Sequence, residues 1–143
     1  MGKKSFKRGI HPYDGKEFSK DVPIRCIEAE DIMVYPLSQH IGAPAKSVVA
    51  VGDRVLKGQL IAEAGGFISS PVYSTVSGTV KKLEKRRVTN GNSVDCIIVE
   101  NDGELECVEG FGEERSLESL DGREIVDIIT KAGIVGLGGA GFP

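Results

Sequence analysis

Residues 48–83, VVAVGDRVLKGQLIAEAGGFISSPVYSTVSGTVKKL, constrain the fold more than any other stretch. They read as two short β-turn-β arms, each punctuated by glycine. In the first arm Gly52-Asp53 turns the chain, Val55 follows, and Gly58-Gln59 turns again into Leu60-Ile61-Ala62. In the second, Pro71-Val72 leads to Val76, and Ser77-Gly78 is expected to form a turn or bulge before Thr79-Val80. Glycine serves where a bend requires φ > 0 or where two backbones approach closely. The β-branched residues between the bends suit strands that bury one face.

The surrounding sequence extends this β pattern in both directions. Residues 5–18 are rich in Gly, Pro and charge, an extended stretch with turns at Arg8-Gly9 and Asp14-Gly15. Pro23-Ile24-Arg25-Cys26-Ile27 alternates and is expected to be an edge strand opened by its proline. Ile32-Met33-Val34-Tyr35 reads as another short strand, and residues 36–46, PLSQHIGAPAK, as a loop feeding the two arms. Residues 81–88 and 94–99 flank Thr89-Asn90-Gly91-Asn92-Ser93, and Asn-Gly between β-prone runs signals a hairpin. The unbroken apolar run after it predicts a strand covered on both faces. Residues 1–103 are therefore expected to form one β domain.

Residues 104–120 are acidic, glycine-broken and without period, and read as a linker. Asp121 then opens a helix: Asp121-Gly122-Arg123-Glu124 fits a capping box, in which both carboxylates satisfy orphan N–H groups. Ile125, Ile128, Ile129 and Ala132 form one apolar stripe, Lys131 lies in the last turn and Gly133 just beyond. That stripe requires a partner, either the β domain or a domain outside these residues. Residues 121–143 thus form a helix followed by the glycine-rich loop GIVGLGGAGFP.

Charge and cysteine content exclude several classes of function. The formal net charge of −3 gives no global basis for nucleic-acid binding. Positive charge gathers in residues 1–20 and 81–87, negative charge in 100–124. The basic residues Lys81, Lys82, Lys85, Arg86 and Arg87 have no interleaved aromatics on which bases could stack. Cys26, Cys96 and Cys107 are odd in number and far apart, with no metal-ligand spacing, and are expected to be reduced, partly buried thiols. His11 and His40 are paired with no carboxylate or thiol at useful spacing and are read as loop hydrogen-bonding residues. No catalytic residue and no metal site is assigned. No apolar run approaches the ~20 residues needed to cross a bilayer, so direct membrane insertion is not expected.

V-G-D-x-V-x-x-G-Q-x-I followed by P-V and V-S-G-x-V resembles the barrel-sandwich hammerhead of biotinyl and lipoyl carrier domains. A carrier of that kind presents one lysine at the tip joining its two arms. Here no lysine occurs from Gln59 through Thr79. Without a primary amine there is no amide and no swinging arm, so the resemblance implies the fold and not the carrier function.

The glycine loop carries a second resemblance. Gly136, Gly138 and Gly141 satisfy G-x-G-x-x-G, but that fingerprint needs a buried strand before it and a helix after it, and only Ile134-Val135 separates it from the preceding helix. GLGGAGFP instead resembles the flavin-binding loop of the FMN subunit of respiratory complex I. With RGIHP (residues 8–12), PLSQHIGAPAK and the lysine-free hammerhead, the chain resembles the C subunit of the Rnf-type electron transport complex.

That resemblance implies a mainly β barrel-sandwich hybrid domain, a linker, one α-helix and the start of a truncated α/β FMN-binding domain. It implies FMN, NADH and two 4Fe-4S clusters in the full-length protein, with Gly136, Gly138, Gly139, Ala140, Gly141 and Phe142 as flavin-loop positions. The complex couples electron flow between NAD(H) and ferredoxin to ion translocation. The protein would be peripheral, on the cytoplasmic side of the membrane, with the other subunits and ferredoxin as partners. The chain would be an N-terminal piece ending at Pro143, colourless and inactive alone. The alternatives are a stand-alone barrel-sandwich interaction module and the A subunit of the sodium-translocating NADH:quinone reductase.

Overall fold

The computed structural model describes residues 13–114, 116–136 and 141. Seven strands form two antiparallel sheets, the barrel-sandwich hybrid architecture expected from residues 48–83. The strands are β1 (Ile32–Pro36), β2 (Lys46–Ser47), β3 (Arg54–Val55), β4 (Leu60–Glu63), β5 (Val72–Tyr73), β6 (Gly78–Arg87) and β7 (Ser93–Asn101). One sheet has the order β1-β7-β6-β3 and the other β2-β4-β5. Between them lie Tyr35, Ala45, Val55, Ile61, Ala62, Val76, Val80, Ile97 and Val99. This core is made of β-branched and small side chains, as a chain with no Trp and few aromatics must build it.

The turns use the residues that the sequence marked. Gly52 has φ 98° and Gly58 φ 84°, values that favour glycine. Asp53 fixes the first turn by accepting from the Ala50 N–H at 2.8 Å. Gln59 fixes the second by accepting from the Leu56 N–H at 2.9 Å. Ser77-Gly78 departs from expectation. Gly78 is neither turn nor bulge but the first residue of β6, in register with Val55 on one side and Asn101 on the other. Its lack of a side chain serves close approach: a Cβ there would stand 2.0 Å from the Glu100 carbonyl oxygen.

The bulge falls further on. The β6–β7 register shifts between Val80 and Lys82, which places Val80 opposite Val99 and Leu83 opposite Ile97. One extra residue, Lys81, sets this pairing; Val80 is buried in the core, whereas Leu83 is 47% exposed. The β6–β7 hairpin closes as predicted, with Gly91 at φ 85° and Asn90 accepting from the Asn92 N–H at 2.9 Å. Strand β7 is covered on both faces. Ile97 and Val99 enter the core, whereas Cys96 and Ile98 are buried on the opposite face, Ile98 between Val34 and Lys82 in register. Burial pushes the Cys96 thiol pKa up.

Three expectations need correction. Residues 23–27 form no strand, and Ile24 and Ile27 are almost fully exposed. Alternation supplied the pattern, but strand β1 finds its partner in β7 and leaves this segment without a ladder. Cys26 and Cys107 are exposed rather than partly buried; only Cys96 follows the expectation. The third concerns the acidic segment after Asp102, which does not leave the sheet at once. The Lys57 N–H donates to the Glu106 carbonyl at 2.8 Å, and the Val108 N–H returns to the Lys57 carbonyl at 3.0 Å. The Phe111 ring then covers Gly58, where a Cβ would stand 2.4 Å from it, with the Lys57 ammonium 5.4 Å from its centroid. Backbone pairing of this kind leaves no hydrophobic period in the sequence.

A polar cluster fixes the start of that strap. The buried Ser77 hydroxyl donates to Asp102 at 2.6 Å and accepts from the Glu106 N–H at 3.0 Å. Arg54 bridges Asp102 at 3.1 Å and Glu106 at 2.6 Å. The Ser77 hydrogen bond, helped by the Glu104 N–H and Arg54, holds the Asp102 carboxyl below its ordinary range. A carboxyl with a depressed folded pKa stabilises the native state above its unfolded value and loses that contribution as pH falls through the folded value. As pH falls from about 5 through the depressed folded value, the parent chain is therefore expected to lose stability more steeply than Asp102→Asn. Denaturant melts across that window check this, and parallel curves for the two proteins would refute it.

Candidate functional site

The glycine loop meets the hammerhead at the C-terminal end of helix α1 (Gly122–Lys131). The helix forms because its N-terminus is satisfied. Asp121 accepts from the Arg123 and Glu124 N–H groups at 2.7 and 2.9 Å, and Glu124 accepts from the Asp121 N–H at 2.8 Å. The capping box is present as the sequence predicts. No residue of α1 is buried; Ile125 and Ile128 are half-buried, and Val126 and Ile129 are exposed. The stripe is therefore only partly covered.

What the β domain grips is the end of the helix. Gly133 ends it at φ 70°, the left-handed position that glycine fills without penalty. The Tyr73 hydroxyl donates to the Lys131 carbonyl, and the Ser70 hydroxyl donates to the Gly133 carbonyl at 3.1 Å. The Lys131 carbonyl belongs to the last turn and lacks an intrahelical donor, and Gly133 lies just past the cap. A Cβ on Gly133 would stand 2.9 Å from the Pro71 carbonyl oxygen, so this glycine also permits the close seating of helix on arm. Sequence reading passes over Tyr73 and dismisses Ser70 as a nucleophile. Their partners lie 58 and 63 residues away, and no local signal marks either residue.

A cavity of about 310 Å³ opens at this junction, with walls that include Leu37, His40, Ser70, Tyr73, Gly133 and Val135. His40 comes from the loop of residues 36–46. That loop is tied to the arm tip by the Ala43 N–H donating to the Ile68 carbonyl at 2.9 Å, and by the Ser69 hydroxyl donating to the Ala43 carbonyl at 2.8 Å. The hydrogen-bonding role expected of His40 is not met at one nitrogen, because Nδ1 is buried with no hydrogen-bond partner among the described residues. His11 lies outside the described residues.

Of the six flavin-loop positions, Gly136 and Gly141 are described; Gly138, Gly139, Ala140 and Phe142 lie outside the described residues. At Gly136 nothing stands within 4 Å of where a Cβ would project, so its backbone is open to a flat ligand. Gly141 is buried with φ 77°, and its Cβ would stand 2.5 Å from the His40 ring. The Gly136 backbone is thus open on its Cβ side, while Gly141 is turned toward the β domain.

The cysteines do not fit an iron–sulfur cluster. Cys96 is buried in β7, and among the described residues no group of three His, Cys, Asp or Glu side chains could hold a metal ion. No described helix is long and apolar enough to cross a membrane. The basic β6 strand is largely paired on its own surface: Lys81 with Glu100, Lys85 with Asp95 and Arg86 with Glu84. The arm tip between β4 and β5 ends in an exposed Phe67 where a carrier would show its lysine.

A family model described as the RnfC barrel sandwich hybrid domain matches residues 4–104. The chain belongs to that family. It is 41% identical over 140 residues to the C subunit of the proton-translocating ferredoxin:NAD(+) oxidoreductase complex of Clostridium ljungdahlii, covering 98% of this chain and 31% of that protein. It is 40% identical over 140 residues to the C subunit of the Na(+)-translocating ferredoxin:NAD(+) oxidoreductase complex of Acetobacterium woodii, covering 97% and 31%. The C subunit of the ion-translocating oxidoreductase complex of Vibrio cholerae is 36% identical over 140 residues, covering 96% and 18%. The chain thus spans less than a third of the length of these curated RnfC relatives. The resemblance read from the hammerhead, RGIHP, PLSQHIGAPAK and GLGGAGFP extends over nearly the whole chain.

Proposed function

We propose that this chain is the N-terminal scaffold of a peripheral subunit in a membrane-associated electron-transport complex. That complex passes electrons between NAD(H) and ferredoxin and couples their flow to ion translocation, at the cytoplasmic side of the membrane. The β domain, residues 1–103, does no chemistry; it docks neighbouring subunits and holds the helix and glycine loop in place. Residues 104–120 connect it to residues 121–143, the opening of an FMN- and NADH-binding domain.

The observation that carries this reading is the grip of Tyr73 and Ser70 on the carbonyls of Lys131 and Gly133. A domain that only displayed a modified tip would have no use for aligning a helix end and a glycine loop. Gly136, Gly138, Gly139, Ala140, Gly141 and Phe142 would border the flavin. FMN would supply the exchange between two-electron hydride transfer and one-electron carriers. The two 4Fe-4S clusters would be held by residues beyond this chain, because its own cysteines do not converge. Complementary charge would speed encounter with ferredoxin, through Lys82 and Arg87, for which no ion pair is found among the described residues.

The test compares the 143-residue chain with the full coding sequence that contains it. The short chain is expected to purify without flavin absorbance, because it supplies only part of a pocket and ligand sites bury about 70–90% of a ligand. The full protein is expected to carry flavin and to oxidise NADH. A full protein without flavin, or stoichiometric flavin on the short chain, would overturn the reading.

A further inference from the structure

We infer that His40 is a positioning residue: its imidazole ring is the shelf on which the β domain seats the glycine loop at Gly141. The inference rests on the proposed flavin role of that loop for its consequence, and on geometry alone for the contact.

Three observations converge on the ring. An ideal Cβ at Gly141 would lie 2.5, 2.6 and 2.9 Å from its Cγ, Nδ1 and Cδ2 atoms, so the loop backbone lies on the ring and only glycine allows it to do so. Gly42 also lies close to the ring: a Cβ there would stand 2.5 Å from the Ile68 carbonyl oxygen and 2.9 Å from His40 Nδ1. Two glycines that are 99 positions apart in sequence thus both lie close to the imidazole. Its own loop is pinned to the arm tip through Ala43, Ile68 and Ser69, so the shelf has a rigid base.

The chemistry of the contact follows from Nδ1. That nitrogen is buried and makes no hydrogen bond among the described residues. Among the described residues, what the ring offers to Gly141 is thus a flat surface and not a polar partner. Burying an unpaired polar atom opposes folding, and an apolar ring of similar shape avoids that cost. His40→Phe should therefore keep the shelf, whereas His40→Ala should remove it.

In the 143-residue chain, the contact can be read by NMR and by amide exchange. The Gly141 α-protons, lying against an aromatic face, are expected to carry a ring-current shift that persists in His40→Phe and disappears in His40→Ala. Amide exchange at residues 133–136 and 141 is expected to rise about tenfold in His40→Ala and to stay within about twofold of the parent in His40→Phe. Gly141→Ala should also release the loop, and by less in a His40→Ala background, where the collision is gone. Unchanged Gly141 shifts in His40→Ala would overturn the proposal, as would a His40→Phe variant as released as His40→Ala.

In the full coding sequence, flavin affinity is expected to fall about tenfold in His40→Ala and to be restored in His40→Phe. If the parent full-length protein binds no flavin, the proposed function fails while the NMR contact still stands or falls on its own. If it binds flavin and His40→Ala binds it equally well, the positioning role fails alone.

Discussion

Replacing Gly78 by alanine is expected to destabilise the β domain by about 3 kcal/mol or more. The added Cβ would stand 2.0 Å from the Glu100 carbonyl oxygen, 2.9 Å from its carbonyl carbon and 3.2 Å from the Asn101 Cα. All three are backbone atoms of β7, so no side chain can swing aside. Strand β6 cannot retreat either, because β3 pairs with it on the other edge at the same residue. For a domain of this size the loss corresponds to a Tm lower by about 15 °C. Gly52→Ala provides the comparison. It sits at a positive φ that favours glycine, but nothing stands within 4 Å of its Cβ position, so only backbone strain of about 1 kcal/mol is expected. Thermal melts of the two variants separate steric collision from conformational strain. Equal melting temperatures would refute the account of Gly78.

Ile97→Ala is expected to cost about 3–4 kcal/mol. Ile97 is fully buried, lies on a central strand of its sheet and stands in register between Tyr35 on β1 and Leu83 on β6. Ile97 packs within the main core cluster between the two sheets, so the cavity left behind is enclosed and collapses little. The neighbouring Ile98 tests the role of that confinement. It is nearly as buried but lies on the opposite face, outside the main core, with half-exposed Val34 and the Lys82 side chain beside it. Its surroundings can relax, and Ile98→Ala is expected to cost about half as much. Urea denaturation with matched m-values measures both, and an equal or reversed order would show that the two faces are not differently packed.

Much of this fold was legible locally because its signals are local. Positive-φ glycines at 52, 58 and 91, the Asn90-Gly91 hairpin and the Asp121/Glu124 capping box each act within about four residues, and each is where the sequence places it. The errors share one cause. The alternating apolar residues at 24 and 27 look like a strand, and burial depends on whether a ladder partner is available. The acidic segment after Asp102 looks like a linker because its attachment to Lys57 is made by backbone groups, which leave no pattern of side chains. Gly78 looks like a turn because a glycine demanded by a neighbouring strand cannot be told from one demanded by φ.

The candidate site divides along the same line. The sequence by itself determined that this chain carries a hammerhead without a carrier lysine, a capped helix and a glycine-dense loop. Those features depend on residue type and spacing, which the order of amino acids records directly. Only the tertiary structure decided that Tyr73 and Ser70 hold the end of the helix, and that Gly141 lies against the His40 ring. Such contacts join residues 58 to 101 positions apart, and their strength comes from carbonyls without helical donors and from the missing Cβ of a glycine. Neither exists until the chain has folded and brought the two surfaces together.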